Sequence, residues 1–376
     1  MHLKNKKFLL ISLAVILLAA GILGRRFFFN DTKTVSSSRT GIEMGTAVSV
    51  TLYKDKGLST ESKARAELDS IINDLFVKID DLDRNVLSWR SDTSETARFN
   101  AFPENEPFAM STELDQVVRQ SLDLAARTGG AADITLRPLI ALWGIEEAND
   151  AGSFVPPREE ELRALSEFIG YRHLSVREGA LIKDNSAVQL DLGAVGKGYA
   201  LDAAYERLLL SRPVKGAIVS AGGSILAYGS KGDPWQIGIR DPEGAPTDYL
   251  GILSIPGQTG ESTFVSTSGG YEKYAEYNGQ IYEHILDGRT LRPVENELYS
   301  VTVLTHDSGL LSDGLSTACF ILGAEDSMEL LEHYHAEAVF VFRNRSILLS
   351  ESLKDHFTLT DSAYSISGTP EENRTR

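Results

Sequence analysis

Cysteine and positive charge are scarce in this 376-residue sequence. Its one cysteine, Cys319, excludes an internal disulfide and argues against a cysteine-rich zinc site or an iron–sulfur cluster, and we expect a small buried residue on a helix there. The formal net charge is −16, and no basic stripe is present to neutralise phosphates, which argues against nucleic acid as a partner. A hydrophobic content of 42% is enough for the core of one large or two modest domains.

The N-terminus carries a membrane-targeting pattern. Three lysines precede an uncharged apolar run from Phe8 to Gly24, and Arg25 and Arg26 follow it. A secretory signal and a signal anchor both fit, and the lack of a small-residue cleavage site favours an uncleaved anchor over residues 1–26. The flanking charges predict a cytoplasmic N-terminus and an extracytoplasmic body, on the outer side of the cytoplasmic membrane.

The rest of the chain divides into three parts. Residues 27–40 are polar and rich in Ser and Thr, which predicts a linker, and residues 41–360 form the predicted folded domain. Residues 361–376 are polar and predicted to be a disordered tail. Strands and helices alternate irregularly in the domain, without strict βαβ order, so we predict the α+β class, a mixed sheet with flanking helices.

The most informative stretch runs from Asp191 to Asp202 and contains three glycines. It follows a strand-like run and opens a helix with apolar residues at helical spacing. Gly193, Gly196 and Gly198 allow close backbone approach and positive φ, and the free N–H groups of the helix start, with Lys197 beside them, predict a site for a phosphate or other anion. The spacing matches neither a Walker A loop nor a dinucleotide-binding motif, and such a turn is also common without a ligand.

Asp313 and Thr317 are four residues apart on a predicted helix, Ser312 to Leu322, so both side chains project from one face. A carboxylate and a hydroxyl are ligands that Mg²⁺ accepts when phosphates complete its shell. The alternative is structural. Asp313 would then complement the helix dipole after a Ser312 cap, and Thr317 would be an ordinary helix residue.

Other residues with functional potential are scattered along the chain. His284, at the end of an alternating strand, is a candidate general base, although strand histidines are usually structural. Trp89 has the ring to stack on a ligand, and a half-buried loop tryptophan is equally ordinary. Asp133 and Asp191 have the carboxylates to accept hydrogen bonds from a heterocycle or to hold a turn.

Seven short motifs occur in an order that resembles the FAD:protein FMN transferase (ApbE) family, over about residues 41–323. They are Met44-Gly-Thr, Ser88-Trp-Arg-Ser-Asp, Gly130-Ala-Ala-Asp-Ile-Thr, Asp191-Leu-Gly-Ala-Val-Gly-Lys-Gly, Ser266-Thr-Ser-Gly, His284-Ile-Leu-Asp and Ser312-Asp-Gly-Leu-Ser-Thr. The chain departs from the family pattern at four positions. Gly288 replaces a proline, Ser224 an aspartate or asparagine, Ala132 an aromatic residue and Trp89 a tyrosine.

The resemblance implies a membrane-anchored, Mg²⁺-dependent enzyme that splits FAD, attaches FMN through a phosphoester bond to a threonine of a target protein, and releases AMP. The acceptor would carry an Asp-x-Ser/Thr-Gly-Ala-Thr motif. By the same resemblance, His284 would be the base and the metal would be held by Ala194, Asp313 and Thr317. The FAD contacts would be Met44, Trp89, Ala131, Ala132, Asp133, Asp191, Lys197 and Ile285.

Two other functions remain open at this point. A FAD pyrophosphatase with the same metal site would release FMN and AMP without any acceptor protein. A membrane-tethered flavin-binding carrier would bind FAD without turnover, and the presence of Asp313, Thr317 and His284 counts against it.

Overall fold

The computed structural model describes residues 34–147, 154–211 and 213–368. The predicted membrane anchor, residues 1–26, and residues 27–33 of the predicted linker lie outside these ranges. Within them, none of the helices has the length and apolar character needed to cross a bilayer.

The structure is a mixed α+β fold built on a nine-stranded sheet. Neighbouring strands in this sheet are antiparallel except at one edge, where Ser365–Ser367 runs parallel to Ser346–Leu349. In spatial order its strands are β1 (Thr34–Glu43), β2 (Thr46–Asp55), β6 (Gly216–Ala221), β7 (Ser224–Gly229), β10 (Ser262–Gly269), β15 (Leu298–Thr305), β16 (Glu337–Phe342), β17 (Ser346–Leu349) and β19 (Ser365–Ser367).

Smaller sheets and hairpins surround the large one. They are a sheet of β3 (Phe108–Ala109), β4 (Leu174–Arg177) and β5 (Ala180–Lys183), a sheet of β8 (Trp235–Arg240), β9 (Tyr249–Ile255) and β18 (Phe357–Leu359), the hairpin β11 (Tyr274–Tyr277) and β12 (Gln280–Glu283), and the pair β13 (Leu286–Asp287) and β14 (Arg292–Pro293). The turn between β11 and β12 consists of Asn278 and Gly279, with φ values of 52° and 80°, the left-handed conformation that short hairpin turns require.

The helices pack mainly on one face of the large sheet. They are α1 (Glu61–Leu82), α2 (Glu95–Asn100), α3 (Thr112–Arg127), α4 (Arg137–Trp143), α5 (Glu159–Leu165), α6 (Gly196–Leu210), α7 (Gly309–Leu322) and α8 (Met328–His333). Strand residues alternate between the two faces, so Leu226 and Phe264 meet α1 and α6 whereas Ala227 and Val265 meet the β8–β9–β18 sheet.

Two predicted boundaries differ from the structure. Residues 34–40 of the predicted linker belong to β1, because each of them pairs with a residue of β2, from Thr34 opposite Asp55 to Thr40 opposite Ser49. Within the predicted tail, Ser365–Ser367 forms β19, because it pairs with β17. Polar composition indicated exposure at both places, and backbone pairing at a sheet edge does not require apolar side chains.

The start of α7 also differs from the prediction. The helix begins at Gly309, and its cap is Ser308, whose hydroxyl accepts a hydrogen bond from the Leu311 N–H at 3.3 Å. Ser312 lies inside the helix and donates to the Val303 carbonyl at 3.0 Å. Cys319 is fully buried on this helix, as expected from the sequence.

Candidate active site

A cavity of about 760 Å³ brings together all twelve residues that the sequence analysis singled out. They reach it from the β1–β2 turn, the loops before α2, α4 and α6, the segment after β12, and α7. The twelve are Met44, Trp89, Ala131, Ala132, Asp133, Asp191, Ala194, Lys197, His284, Ile285, Asp313 and Thr317.

One wall of the cavity depends on a very close crossing of α6 and α7. A Cβ atom on Gly198 would overlap the carbonyl group of Gly309, so only glycine fits there. Gly193, Gly196 and Gly198 all have φ values outside the left-handed region, so the positive φ that glycine allows is not adopted at these positions. At Gly198, helix packing is the reason for glycine.

The start of α6 holds an anion that belongs to the protein itself. The Gly198 N–H donates to Oδ2 of Asp313 at 3.0 Å, and the Lys197 ammonium donates to the same oxygen at 3.3 Å and to the Gly193 carbonyl at 3.2 Å. The sequence predicted a ligand anion at this helix start. In the structure, the carboxylate of α7 accepts the bond from Gly198, and Lys197 is one of the cations that face the cavity.

The oxygen atoms around Asp313 fit a Mg²⁺ ion. The Ser224 hydroxyl donates to Oδ1 of Asp313 at 3.1 Å, which leaves this oxygen a further lone pair, and the Thr317 hydroxyl lies one turn along the helix, 3.0 Å from that of Ser268. Nowhere in the described residues do three or more His, Cys, Asp or Glu side chains cluster as a metal site. Carboxylate, hydroxyl and carbonyl oxygens completed by phosphates match the preference of Mg²⁺ for hard ligands.

His284 is held in one tautomer. Its Nδ1 lies 3.0 Å from the carbonyl oxygen of Lys273, and its backbone N–H donates to the same oxygen at 3.1 Å. Because a carbonyl only accepts, neutral His284 carries its proton on Nδ1 and keeps Nε2 as an acceptor. Burial, reinforced by the Lys273 charge, lowers the pKa of His284 to about 4. The imidazole is therefore neutral at pH 7 and able to accept a proton.

A network of charges that the sequence analysis missed lies beside His284. Glu146 accepts from Lys273 at 2.9 Å and from Arg90 at 3.3 Å, and all three side chains line the cavity. The bond from Lys273, together with the Lys273 and Arg90 charges, outweighs burial and keeps the pKa of Glu146 below its ordinary value. Glu146 lies in a polar stretch of sequence, so nothing local distinguishes it from a solvent-exposed linker residue.

Trp89 is in contact with two arginines. The guanidinium carbon of Arg137 lies 3.5 Å from the ring centroid, and that of Arg90 lies 4.1 Å from it. Both distances fit cation–π contacts. Arg90 is the more exposed of the two, so it is the arginine that a ligand ring stacking on Trp89 would displace more readily.

The two candidate aspartates differ in how much of the carboxylate is free. Oδ1 of Asp133 accepts from the Thr135 N–H and hydroxyl, at 2.8 and 2.7 Å, and Oδ2 accepts from the Tyr171 N–H at 2.6 Å. Asp191 accepts one bond, from the Gly193 N–H at 2.8 Å, and its Oδ2 has no partner among the residues the structure describes. Both hold turns, and burial raises the pKa of each. Asp191 retains more capacity for a ligand.

Comparison with known proteins identifies the family. A sequence model described as the ApbE family matches residues 44–340, more than three quarters of the chain. The chain belongs to the ApbE family.

Characterised relatives and solved structures agree with this membership. FAD:protein FMN transferase of Vibrio cholerae serotype O1 is 32% identical over 327 residues, covering 86% of this chain and 90% of the relative. The enzyme of the same name from Escherichia coli K12 is 31% identical over 300 residues, 76% of this chain and 82% of the relative. The apo flavinyl transferase ApbE of Pseudomonas stutzeri superposes with a TM-score of 0.72 at 29% identity, covering 88% of this ApbE-family chain and 99% of that one.

Proposed function

We propose that this ApbE-family chain is a FAD:protein FMN transferase that uses Mg²⁺, attaches FMN through a phosphoester bond to a threonine of an acceptor protein and releases AMP. The observation that carries the proposal is the common cavity. An oxygen donor set beside the Lys197 ammonium and a neutral histidine with a free Nε2 line the same space. The names of the relatives agree with the proposed activity.

FAD would occupy the cavity, whose volume of about 760 Å³ falls within the ordinary range for small-molecule sites. Lys197 would pair with the diphosphate, and the free Oδ2 of Asp191 would accept from a ring N–H or amine of FAD. The remaining proposed contacts are Met44, Trp89, Ala131, Ala132, Asp133 and Ile285, which also line the cavity.

Mg²⁺ would be held by Asp313, Thr317 and the backbone carbonyl of Ala194. When bound, it would supply positive charge that stabilises the diphosphate as AMP departs. No third carboxylate is required for this, because phosphate oxygens and water complete the shell of such ions.

The protein side chains would then carry out the transfer. Nε2 of His284 accepts the proton of the acceptor threonine, and the threonine oxygen attacks the FMN-side phosphorus. The bond between that phosphorus and the bridging oxygen breaks, and AMP leaves with the bond electrons. Lys197 keeps an ammonium beside the diphosphate, where negative charge accumulates as AMP departs.

We further propose that residues 1–26 anchor the enzyme in the cytoplasmic membrane with the catalytic body on the extracytoplasmic side. Support comes from the charge pattern around the apolar run of residues 8–24. The acceptor would present an Asp-x-Ser/Thr-Gly-Ala-Thr motif, in which the last threonine receives FMN.

The proposal is tested with the detergent-solubilised full chain, FAD, Mg²⁺ and a protein that carries the acceptor motif. We expect AMP release together with an FMN-sized mass gain on the acceptor, and no gain when the acceptor threonine is replaced by alanine. Release of AMP and free FMN with an unmodified acceptor would identify a pyrophosphatase instead. Bound FAD without AMP would identify a carrier.

A further inference from the structure

Helices α6 and α7 hold each other's N-termini. Asp313 of α7 accepts from the Gly198 N–H at the start of α6. In return, Asp202 of α6 accepts from the start of α7, from the Ser308 hydroxyl at 3.0 Å and from the N–H groups of Gly309 at 2.5 Å and Leu310 at 2.9 Å. Each helix therefore supplies a carboxylate to the positive end of the other.

Asp202 does more than satisfy the start of α7. Ser308 already provides a local cap through the Leu311 N–H. Asp202 is partly buried, and this burial raises its pKa to about 6 despite the three hydrogen bonds it accepts. A neutral local residue would satisfy the same N–H groups without this desolvation. What the carboxylate adds is a connection between two helices that are far apart in sequence.

That connection controls where Asp313 lies. Asp313 is four residues beyond Gly309, about one helical turn or 6 Å along α7, so a rotation of α7 at its first residues moves the carboxylate relative to Lys197. The two helices cannot move closer together where they cross, because the backbones of Gly198 and Gly309 are in contact. Three bonds from Asp202 hold the first two residues of α7 and the Ser308 cap at this crossing.

We propose that Asp202 is a positioning residue, which fixes α7 against α6 so that Asp313 and Thr317 keep the geometry that a divalent ion and Lys197 require. The inference rests on the proposed function, since it deepens the account of the same site. Asp202 itself does not line the cavity and does not touch the reacting groups. It acts through Asp313.

The test compares Asp202→Ala and Asp202→Asn with Glu206→Gln, a control one turn further along α6 whose side chain is exposed and accepts none of the bonds from the start of α7. Mn²⁺ binding to the full chain, with and without FAD, is followed by electron paramagnetic resonance, and FAD binding without metal by fluorescence. We expect Mn²⁺ affinity to fall at least about 10-fold in Asp202→Ala, as for other groups that orient metal ligands, and FAD affinity to change less than about twofold.

A further control separates positioning from lost stability. Val339→Ala removes buried volume on the opposite face of the large sheet and lowers the melting temperature without touching α6 or α7. We expect it to leave Mn²⁺ affinity unchanged. If Asp202→Ala does not fold, Asp202→Asn, which keeps the shape and one acceptor oxygen, is expected to show the same selective loss.

Unchanged Mn²⁺ affinity in a folded Asp202 variant, or absence of Mn²⁺ binding by the wild-type protein, would overturn the inference. An equal loss of Mn²⁺ and FAD affinity would also overturn it, because the residue would then be generally structural. If the Asp202 variants selectively lose Mn²⁺ binding but the wild-type protein releases no AMP, the proposed transferase activity would be refuted and the positioning role of Asp202 would stand.

Discussion

The pH dependence of the reaction tests the assignment of His284 as the base. Its pKa is lowered to about 4 by burial and by the Lys273 charge, against an ordinary value of 6.5. The active form of a base is the unprotonated one, so the rate is lost as pH falls through this pKa. Between about pH 7.5 and pH 5.5 the wild-type rate should change by less than about 1.5-fold, whereas a histidine of ordinary pKa would lose about 10-fold.

Lys273→Met changes this behaviour without removing the hydrogen bond that sets the tautomer. The backbone carbonyl that accepts from Nδ1 remains, and the positive charge that disfavours the imidazolium is gone. The pKa of His284 should rise, and the rate should begin to fall at a higher pH than in the wild-type enzyme. In Lys273→Met the pKa of His284 should stay below its ordinary value of 6.5, because burial, which lowers this pKa more than the Lys273 charge does, is unchanged.

The assay is single-turnover AMP release at saturating FAD and acceptor, from about pH 3.5 to pH 8, with circular dichroism at each pH to confirm folding. Glu146→Gln serves as the control of opposite sign, because it removes a negative charge that raises the pKa of His284. The reasoning would be refuted if the wild-type rate fell near pH 6.5, or if the wild-type, Lys273→Met and Glu146→Gln proteins all lost their rate at the same pH.

Three further predictions concern the cavity wall. Asp313→Ala should lower Mg²⁺-dependent AMP release at least about 100-fold while circular dichroism stays unchanged, and undiminished release would contradict the metal site. Gly198→Ala should lower the free energy of unfolding by about 1–3 kcal/mol in urea titrations, because the added Cβ atom would overlap α7. The control is Gly196→Ala, which should have little effect because the atom nearest to its Cβ would be 3.7 Å away. Equal effects of the two substitutions would exclude the close helix crossing as the cause. Arg90→Ala should expose more of the Trp89 ring and increase the quenching of its fluorescence by FAD, and unchanged quenching would mean that the flavin does not reach this ring.

Features that depend on neighbouring residues were predictable from the sequence. The helix that follows the glycine-rich turn and the burial of Cys319 on a helix follow from apolar spacing and residue type, and the structure confirms them. The twelve candidate residues also came from short motifs, and they line one cavity.

Other features of the site had no local signal. The sequence predicted a ligand anion at the start of α6, whereas the structure has the Asp313 carboxylate there. The sequence also offered Ser312 as the cap of α7, whereas the cap in the structure is Ser308. Glu146 lies in a polar stretch of sequence, and its partners, Arg90 and Lys273, are distant in the chain. Polar composition indicates exposure to water and carries no information on which charges meet.

The sequence by itself determined the family motifs, the α+β class and the chemical groups available for catalysis. Only the tertiary structure decided which of these groups meet. Gly198 and Asp313 are 115 residues apart, and Asp202 and Leu310 are 108 apart. Helical and strand periods relate residues within one element, whereas the partners of Asp313 depend on how closely α6 and α7 pack. That packing is set by the absence of side chains at Gly198 and Gly309, and a glycine in a sequence does not specify what approaches it.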